Sequence, residues 1–394
     1  MNITIQPGRA VGTVAAPPSK SMAHRLLICA ALARGESHIR GIGRSEDILA
    51  TLDCLRTLGA KCTVAGDTVT VMGTEGFAPS GDLCCRESGS TLRFLIPLAL
   101  LGGNLVSFTG SGRLFRRPLE VYRPFCRVFS PEENRLQVQG ALTGGTYRIP
   151  GDVSSQFISG LLFALPLAKK DSRIILTTPI ESKHYIDLTL QALAGFGVKA
   201  QWCDRSSLFI AGRQQYLPGD FTVEGDYSGA AFFGALNALG SDITVTGLDP
   251  DSLQGDKVYG AYLQQLCTGT PTLDLSHCPD LAPVLFAVAA AKQGAVFTGT
   301  GRLKLKESDR AAAMAQELSA FGAKVLVEEN SVTVLPEAFH GPDRVLSGHN
   351  DHRIVMALAV LLTLTGGEIA GAQAVSKSFP DFFEALAGLG IAIS

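Results

Sequence analysis

The sequence predicts an α/β protein of two domains, each built from three βαβαββ units whose helices are buried. One supporting observation is a repeated phrase, LGAKCTVAGDTVTV from Leu58, which returns in altered form as FGVKAQWCDRSSLFI from Phe196 and FGAKVLVEENSVTV from Phe321. A degenerate copy, LGIAIS, ends the sequence from Leu389. Each copy predicts a helix that ends at a left-handed glycine, followed by two alternating strands joined by a polar turn.

The second observation is a recurring helix rich in alanine and leucine, followed by a small glycine-containing turn and a short strand. Its copies start near His24, Thr91, Ser155, Ser228, Leu281 and His352. Apolar residues lie on nearly all sides of these helices, which is typical of buried helices. The starts are roughly 50–75 residues apart, a period too long for a solenoid and suited to a βαβαββ unit repeated six times.

Six such units predict a first domain at 16–222 and a second at 1–15 plus 223–394. The hinge is expected near Val223–Ala230, and the first strand, Ile3–Ile5, is expected to pair with the distal domain. Two units are degenerate: the second lacks the Gly-Ala-Lys cap, and the fourth is shortened around Gln264–Leu275.

Composition restricts the class of protein. The chain has 394 residues, of which 46% are hydrophobic and 18% charged, with a net charge of −2. That balance excludes a broadly basic surface for nucleic acid or anionic lipid, so any anion-binding site must be local. The nine scattered cysteines include no Cys-x-x-Cys pair, which favours reduced thiols. With no secretory pattern at the start and no apolar run of about 20 residues, we expect a soluble cytoplasmic protein.

Cations stand at the starts of several predicted helices. Lys20 and Arg25 follow a Pro-Pro-Ser motif, Arg93 lies one turn into the second helix, and Arg353 begins the last long one. Ser and Asp at such positions are ordinary N-caps, but the helix dipole disfavours cations there. Because free N–H groups at helix starts favour anions, we predict anion binding at these positions.

The loops between strand and second helix carry further charged residues. Their cations are Arg113, Arg116, Arg117, Lys183, Lys304, Lys306, Arg310 and Lys377. If the repeats converge, these cations form a cleft for small polyanions. Asp280, Glu307 and Asp309 lie among them, and carboxylates beside cations stay ionised and can move protons; for Asp280 a role as a helix cap remains open.

Several cofactor motifs are absent from the sequence. It has neither a Gly-x-x-x-x-Gly-Lys-Ser/Thr phosphate loop nor a Gly-x-Gly-x-x-Gly fingerprint, so no nucleotide cofactor is predicted. His349 and His352 alone are a weak metal signal. We therefore expect no metal and no cofactor.

The motifs PSKSMAHR, SSQF, KESDR, NDHR and SKSFPD resemble those of the 3-phosphoshikimate 1-carboxyvinyltransferase (EPSP synthase) family, in the family's order and over nearly the whole chain. The resemblance implies a two-domain inside-out α/β barrel that closes on its substrates. It also implies transfer of the enolpyruvyl group of phosphoenolpyruvate to the 5-hydroxyl of shikimate 3-phosphate, in chorismate and aromatic amino acid biosynthesis. The implied partners are these two small molecules, with no metal, nucleic acid or membrane, and the implied state is a monomer.

The resemblance also implies site residues. The shikimate 3-phosphate site would contain Lys20, Ser21, Arg25, Ser154, Ser155, Gln156, Ser182, Tyr185, Asp280 and Lys306. The phosphoenolpyruvate site would contain Lys20, Gly89, Arg113, Gln156, Arg310, Arg353 and Lys377. Asp280 and Glu307 would transfer protons with assistance from Lys20. The first domain would thus bind mainly shikimate 3-phosphate, and the second would supply most of the phosphoenolpyruvate site and the carboxylates.

Two positions depart from the family's pattern. Many members have Asn-Ala-Gly-Thr where this chain has Glu87-Ser88-Gly89-Ser90, which places a carboxylate near an anionic substrate. Some members have a substrate-contacting Asn where this chain has Arg302, so that role is not carried over.

Three other functions fit the sequence less well. A UDP-N-acetylglucosamine enolpyruvyl transferase would carry Lys-Asn in the first loop and usually a cysteine on a mobile loop, whereas this chain has Ser-Lys-Ser and no cysteine around Gly112–Pro118. A non-catalytic anion-binding relative would not need the intact set of cations and carboxylates. A nucleotide-dependent phosphotransferase would need a phosphate loop.

Overall fold

The computed structural model describes residues 1–74 and 81–394. Contacts divide the chain into two compact units, an inserted unit, Pro18–Glu224, and a composite unit made of Met1–Pro17 and Gly225–Ser394. Each unit has its own hydrophobic core. Within the described ranges, no helix combines the length and the apolar character that crossing a membrane requires.

Eleven α-helices are found in the described residues. In chain order they are α1 Lys20–Leu32, α2 Glu46–Thr57, α3 Gly89–Ala99, α4 Ser155–Ala164, α5 Lys183–Gly195, α6 Tyr227–Ala238, α7 Tyr259–Thr268, α8 Ala282–Ala291, α9 Arg310–Ser319, α10 His352–Thr365 and α11 Phe382–Gly388. Several short 3₁₀ turns connect them, including Leu114–Arg116, Gly255–Val258, Leu303–Leu305 and Ala372–Lys377.

The strands of the described residues are short. In chain order they are β1 Asn2–Ile5, β2 Val11–Ala15, β3 Glu36–Arg40, β4 Lys61–Ala65, β5 Thr68–Met72, β6 Gly81–Cys84, β7 Val106–Thr109, β8 Val128–Pro131, β9 Arg135–Gln139, β10 Gly145–Ile149, β11 Ser172–Leu176, β12 Ala200–Asp204, β13 Ser207–Ile210, β14 Asp220–Thr222, β15 Asp242–Thr246, β16 Thr272–Asp274, β17 Ala295–Thr298, β18 Lys324–Val327, β19 Ser331–Leu335, β20 Leu346–Ser347 and β21 Gly367–Ala370.

The inserted unit contains three four-stranded sheets of one topology. Their strand orders are β14-β3-β5-β4, β6-β7-β9-β8 and β10-β11-β13-β12. In each sheet the first two strands are parallel and the remaining pairs are antiparallel. The last strand of the unit, β14, lies beside β3 with Asp220 opposite His38, so the end of the inserted segment completes the sheet at its beginning.

The composite unit repeats this topology less regularly. The sheet β16-β17-β19-β18 has the full pattern. In a second sheet β1 runs antiparallel to β21, and a bridge from Ile5 to Ile393 brings the LGIAIS segment beside β1. The third sheet is only the parallel pair β2 and β15. After β15 come the 3₁₀ turn Gly255–Val258, α7 and then β16 directly, so the hairpin that follows α2, α5 and α9 has no counterpart after α7 in these described residues; the sequence had predicted a shortened fourth unit around Gln264–Leu275.

Glycines end the repeated helices as predicted. Gly59, Gly197 and Gly322 have φ of +101°, +75° and +84°, values that favour glycine because other residues are strained there. The pairs β4–β5, β12–β13 and β18–β19 follow them as antiparallel hairpins. The repeated phrase therefore encodes one local structure three times.

The central helices are buried nearly all round, which confirms the predicted α/β class with buried helices. Every residue of α8 is apolar, and all but the last, Ala291, are buried. In α10 the residues from Ile354 to Leu362 are apolar and buried. Their polar residues concentrate at the first turn, where Ser88, Ser154, Asp226 and Asp351 accept hydrogen bonds from backbone N–H groups. Because the rest of each helix is buried, the helix starts are the places where functional side chains can contact a ligand.

Candidate active site

At the start of α1, Lys20 is held by a carboxylate. Ser19 caps the helix by accepting a hydrogen bond from the N–H of Met22. Lys20 Nζ donates to Asp47 Oδ2 at 2.7 Å, and both side chains are largely buried. Asp47 lies in the first turn of α2. This pairing fixes the ammonium group at the helix start that the sequence singled out.

Arg25 is enclosed one turn further along α1. Its Nε donates to Thr189 Oγ1 at 2.8 Å, and its Nη atoms donate to the carbonyls of Ser21 and Tyr185. The guanidinium carbon lies 5.2 Å from the centre of the Phe94 ring. Burial lowers the pKa of Arg25 to about 10. The contacts bring together three residues that the family resemblance assigns to one substrate: Ser21, Arg25 and Tyr185.

A second group in the inserted unit surrounds Gln156 at the start of α4. Ser154 caps this helix, and Ser155 is buried beside it. Arg93 donates to Gln156 Oε1 at 2.6 Å, and Gln156 Nε2 donates to Ser90 Oγ at 2.9 Å. The amide therefore joins the starts of α3 and α4.

The segment 87–90 is in contact with two basic loops. A Cβ added to Gly89 would lie 2.8 Å from Arg117 Nη1, so glycine here allows the guanidinium to approach the backbone. A Cβ added to Gly112 would lie 2.6 Å from the carboxylate of Glu87. The unexpected carboxylate thus packs over the loop that carries Arg113, whose own side chain is exposed.

Ser182 adopts a strained backbone conformation at the start of α5. Its φ is +55° and its ψ +43°, and the residue is 2% exposed. A non-glycine residue in this region costs free energy and requires support from its surroundings. The bend starts the helix that carries Tyr185, whose carbonyl holds Arg25.

In the composite unit, Asp280 is surrounded by three cations. Lys306 Nζ and Arg310 Nη1 donate to its Oδ1 at 3.0 and 2.8 Å, and Arg353 Nη2 donates to its Oδ2 at 3.1 Å. Asp280 lies in the 3₁₀ turn Pro279–Leu281, directly before α8. Both of its oxygens accept from these side chains, so the capping role left open by the sequence is not what holds this carboxylate.

Arg310 connects Asp280 to two other carboxylates. Its Nε donates to Asp351 Oδ2 at 2.9 Å, and its Nη2 donates to Glu307 Oε2 at 2.9 Å. Arg310 is only 1% exposed. Asp351 also caps α10 by accepting from the N–H of Arg353 at 2.9 Å, so one carboxylate positions both arginines.

The charges of this cluster determine its protonation. Burial alone would raise the pKa of Asp280, but Arg353, Lys306 and Arg310 outweigh it and hold that pKa well below its usual range. Burial lowers the pKa of Lys306, although Asp280 partly opposes the shift. Asp280 is therefore ionised at neutral pH, beside a lysine that gives up its proton more readily than a solvated one.

Two further groups extend the cluster. Lys377 Nζ, mostly buried, donates to the carbonyl of Asn350 at 2.6 Å. On the other side, Arg353 Nη1 donates to Ser228 Oγ, which also bonds to the buried Asp256. Burial, followed by the charge of Asp280, raises the pKa of Asp256 to about 7.

The structure thus assembles the proposed residues in separate groups. One group around α1 and α5 contains Lys20, Ser21, Arg25, Ser182 and Tyr185, and one around α3 and α4 contains Gly89, Ser154, Ser155 and Gln156. In the composite unit, direct hydrogen bonds link Asp280, Lys306, Glu307, Arg310 and Arg353. Lys377 donates to the carbonyl of Asn350, the residue before Asp351. Within the described residues of the inserted unit, Arg113 makes no hydrogen bond to either of the two groups there, and its side chain is exposed.

Sequence reasoning did not assign Asp47, Asp256 and Asp351 to the site. Asp351 is part of the NDHR motif, and its position before a helix signalled only a cap. Asp47 and Asp256 are single acidic residues at ordinary helix starts, and no local pattern distinguishes them. Arg302, left without a role, donates to the carbonyl of Ser276 at 2.6 Å.

The carboxylates of the site have cations as partners. In residues 1–74 and 81–394, no group of three or more His, Cys, Asp or Glu side chains is arranged to hold a metal ion. The carboxylates that do cluster are already paired with lysine and arginine. Cations at helix starts can instead exchange these partners for the phosphate or carboxylate of a ligand.

Known proteins resemble this chain over nearly its full length. A 3-phosphoshikimate 1-carboxyvinyltransferase of Clostridium kluyveri is 40% identical, with 98% of this chain and 97% of the relative covered. One of Clostridium perfringens is 41% identical, with 98% of each covered. The solved structure of the EPSP synthase of Acinetobacter baumannii has the same fold, with a TM-score of 0.79 over 100% of this chain and 99% of that one, at 24% identity. Residues 5–386 match the family model of EPSP synthase (3-phosphoshikimate 1-carboxyvinyltransferase), and the chain belongs to that family.

Proposed function

We propose that the protein transfers the enolpyruvyl group of phosphoenolpyruvate to the 5-hydroxyl of shikimate 3-phosphate and releases inorganic phosphate. Family membership supports this reaction. Among the structural features, the ionised Asp280 carboxylate, held by Lys306, Arg310 and Arg353, carries the proposal furthest. It combines a proton acceptor with cations that suit anionic substrates.

The charges of the substrates explain the cations. The two substrates carry two phosphates and two carboxylates between them, and bringing these together is opposed by Coulomb repulsion. Guanidinium groups bind such anions in bidentate geometry. We assign shikimate 3-phosphate to Lys20, Ser21, Arg25, Ser154, Ser155, Gln156, Ser182, Tyr185, Asp280 and Lys306. We assign phosphoenolpyruvate to Lys20, Gly89, Arg113, Gln156, Arg310, Arg353 and Lys377.

The reaction requires proton transfer in each of its two halves. In the addition, the 5-hydroxyl oxygen bonds to the central carbon of phosphoenolpyruvate while the hydroxyl loses its proton and the methylene carbon gains one. In the elimination, phosphate leaves and the resulting methyl carbon gives up a proton, which restores the double bond. These steps demand an acid and a base in fixed positions, and we assign them to Asp280 and Glu307, with Lys20 assisting.

Substrate binding would activate Asp280 as a base. In the free protein three cations lower its pKa. A bound phosphate or carboxylate that draws Arg353 or Lys306 away from Asp280 reduces this stabilisation, so the pKa of Asp280 rises and the carboxylate accepts a proton more readily. The same anions stabilise the protonated state of the lysines.

The first experiment measures phosphate release on mixing the full chain with shikimate 3-phosphate and phosphoenolpyruvate. Release should need both substrates, and UDP-N-acetylglucosamine should not replace shikimate 3-phosphate. Asp280→Asn and Glu307→Gln should lower kcat by about 100-fold or more. Glu328→Gln is the matched control and should retain activity, because Glu328 is an exposed carboxylate of the same unit that accepts a hydrogen bond from Ser331 Oγ.

The results separate the alternatives. Release with the UDP-sugar as acceptor would identify the sister activity. Binding of both ligands without release would indicate a non-catalytic anion-binding relative. We further propose that the active protein is a monomer that needs neither nucleic acid nor a membrane. Light scattering of the active sample tests the monomer, and activity of protein freed of nucleic acid and lipid tests the other two claims.

A further inference from the structure

We infer that Glu317 is a positioning residue for the phosphoenolpyruvate site, because it fixes the segment 344–350 that leads into Asp351 and Arg353. The inference rests on the assignment of Arg353 and Lys377 to phosphoenolpyruvate. Glu317 itself lies in α9, two turns after Arg310, and is 0% exposed. A buried carboxylate at this depth requires partners to offset its desolvation.

Within the described residues, the hydrogen-bond partners of the Glu317 carboxylate come from one segment. Arg344 Nη1 and the N–H of Ser347 donate to its Oε2 at 2.8 and 3.0 Å, and His349 Nε2 donates to its Oε1 at 2.7 Å. Burial would raise the pKa of Glu317, but these hydrogen bonds outweigh it and lower the pKa. The carboxylate is therefore an anion whose oxygens are both used to hold the segment 344–350.

The segment needs this support because its backbone is strained. His349 and Asn350 have φ of +47° and +53°, two successive non-glycine residues in the left-handed region, which persists only where contacts impose it. Gly348 is constrained by space instead of by φ, since an added Cβ would lie 2.5 Å from Val355 Cγ2. The hydrogen bond from His349 to Glu317 fixes the first of the two left-handed residues.

The strained turn places the groups assigned to the substrate. The carbonyl of Asn350 accepts the hydrogen bond of Lys377 Nζ. The next residue, Asp351, caps α10 and holds the N–H of Arg353 as well as Arg310. If the turn relaxed, the lysine would lose its acceptor and the cap would shift with the arginine that follows it.

One helix therefore holds this segment at two points. Arg310, the first residue of α9, pairs with Asp351, and Glu317 near its end holds 344–349. The two contacts together set both the position and the direction of the chain as it enters α10. Residues that orient functional groups in this way change substrate binding without touching the substrate.

The test is the steady-state kinetics of the full-length variants Glu317→Ala, Glu317→Gln and His349→Ala. We expect KM for phosphoenolpyruvate to rise about tenfold, with KM for shikimate 3-phosphate within about twofold and kcat within about threefold of the parent. Leu318→Ala is the matched control, since Leu318 is the next residue of α9 and is fully buried in the apolar core. It should lower thermal stability without this selective effect on KM.

The outcomes are distinguishable. A loss of stability with both KM values and kcat changed alike, as in Leu318→Ala, would overturn the inference. Because His349 is partly exposed, His349→Ala decides the question even if Glu317→Ala does not fold, and an unchanged KM for phosphoenolpyruvate in it would refute the role. Arg353→Ala and Lys377→Ala test the underlying assignment. If these two variants leave KM for phosphoenolpyruvate unchanged, the proposed site is wrong. If they raise this KM and the Glu317 and His349 variants do not, only the inference fails.

Discussion

Arg310 and Asp351 form a buried ion pair in which Nε of the arginine donates to Oδ2 of the aspartate across 2.9 Å. The two side chains are 1% and 0% exposed. Both groups are therefore desolvated, and removing one leaves the other buried without this partner. The pair also connects the start of α9 to the cap of α10, so it contributes to stability as well as to the position of the site.

The first prediction concerns the stability of this pair. Asp351→Ala leaves the buried guanidinium of Arg310 without its main acceptor, and the free energy of unfolding should fall by about 3–5 kcal/mol. Urea unfolding of the full-length parent and variant measures this change in the free energy of unfolding. Glu133→Gln, in an exposed pair with Arg116, should change it by less than about 0.5 kcal/mol. Equal effects for the two variants would contradict the burial argument.

The second prediction concerns Asp256, whose pKa burial and Asp280 raise to about 7. In the unfolded chain an aspartate titrates near 4, so between about pH 4 and 7 the folded state holds a proton that the unfolded state releases. The stability contributed by this proton is present below about pH 4 and is lost as the pH rises to about 7.

Asp256→Asn removes this titration. The free energy of unfolding of the parent minus that of the variant should therefore grow as the pH is lowered from about 7 to about 4, on the order of 1–3 kcal/mol. Denaturant titrations of both proteins at several pH values measure the difference. A difference that is constant across this range would show that Asp256 titrates normally.

The third prediction concerns His24, whose effect on the pH dependence of stability is opposite in sign to that of Asp256. Burial, with Lys20 and Arg25 nearby, lowers its pKa well below the usual value. Its Nδ1 contacts Thr51 Oγ1 at 2.8 Å, and Nε2 has no hydrogen-bond partner among the described residues. Charging the ring would therefore bury an unsatisfied donor.

Because the unfolded chain takes up this proton near pH 6.5, His24 lowers stability as the pH falls below that value. In His24→Gln the free energy of unfolding should fall less steeply than in the parent as the pH is lowered from about 6.5 to 5. His277→Gln, an exposed histidine, is the control and should behave as the parent does. An unchanged dependence in His24→Gln would exclude a buried neutral ring.

The fourth prediction concerns Lys20 and Asp47, which are 2.7 Å apart. If Lys20 assists catalysis, Lys20→Met should lower kcat by about 100-fold or more. Asp47→Asn keeps the shape but removes the charge that holds the ammonium group, so kcat should fall by about 10- to 100-fold through misplacement. Phosphate release under saturating substrates measures both.

The control for this pair is Asp53→Asn on the same helix, α2. Asp53 is half exposed and pairs with Arg56 and Arg86, away from Lys20. The activity of Asp53→Asn should match that of the parent. Should Asp47→Asn also keep full activity, the contact with Lys20 has no role in turnover.

The repeated units were predictable because their signals are local. A left-handed glycine after a helix and an alternating hairpin depend only on neighbouring residues, and the observed φ of Gly59, Gly197 and Gly322 confirms them. The buried helices were equally readable, since residues on every side of α8 and α10 are apolar. The two-stranded sheet β2–β15 fits the unit that was short in sequence.

Long-range pairings could not be read in this way. Asp220 on β14 lies opposite His38 on β3, and Asn2 lies opposite Ala370, although nothing near either strand specifies the partner. The same holds for Lys20 with Asp47 and for Arg25 with the carbonyl of Tyr185. Such contacts depend on how whole units pack, which local propensity does not encode.

By itself, the sequence determined the α/β class, the repeated unit, the family motifs and the cations at helix starts, because each arises from residues close together in the chain. Only the tertiary structure decided how those charges are paired. It surrounds Asp280 with Lys306, Arg310 and Arg353, raises the pKa of Asp256 to about 7 and uses Glu317 to hold a strained turn. The physical reason is that a charge takes its pKa and its geometry from burial and from neighbours in space, which the order of residues along the chain does not give.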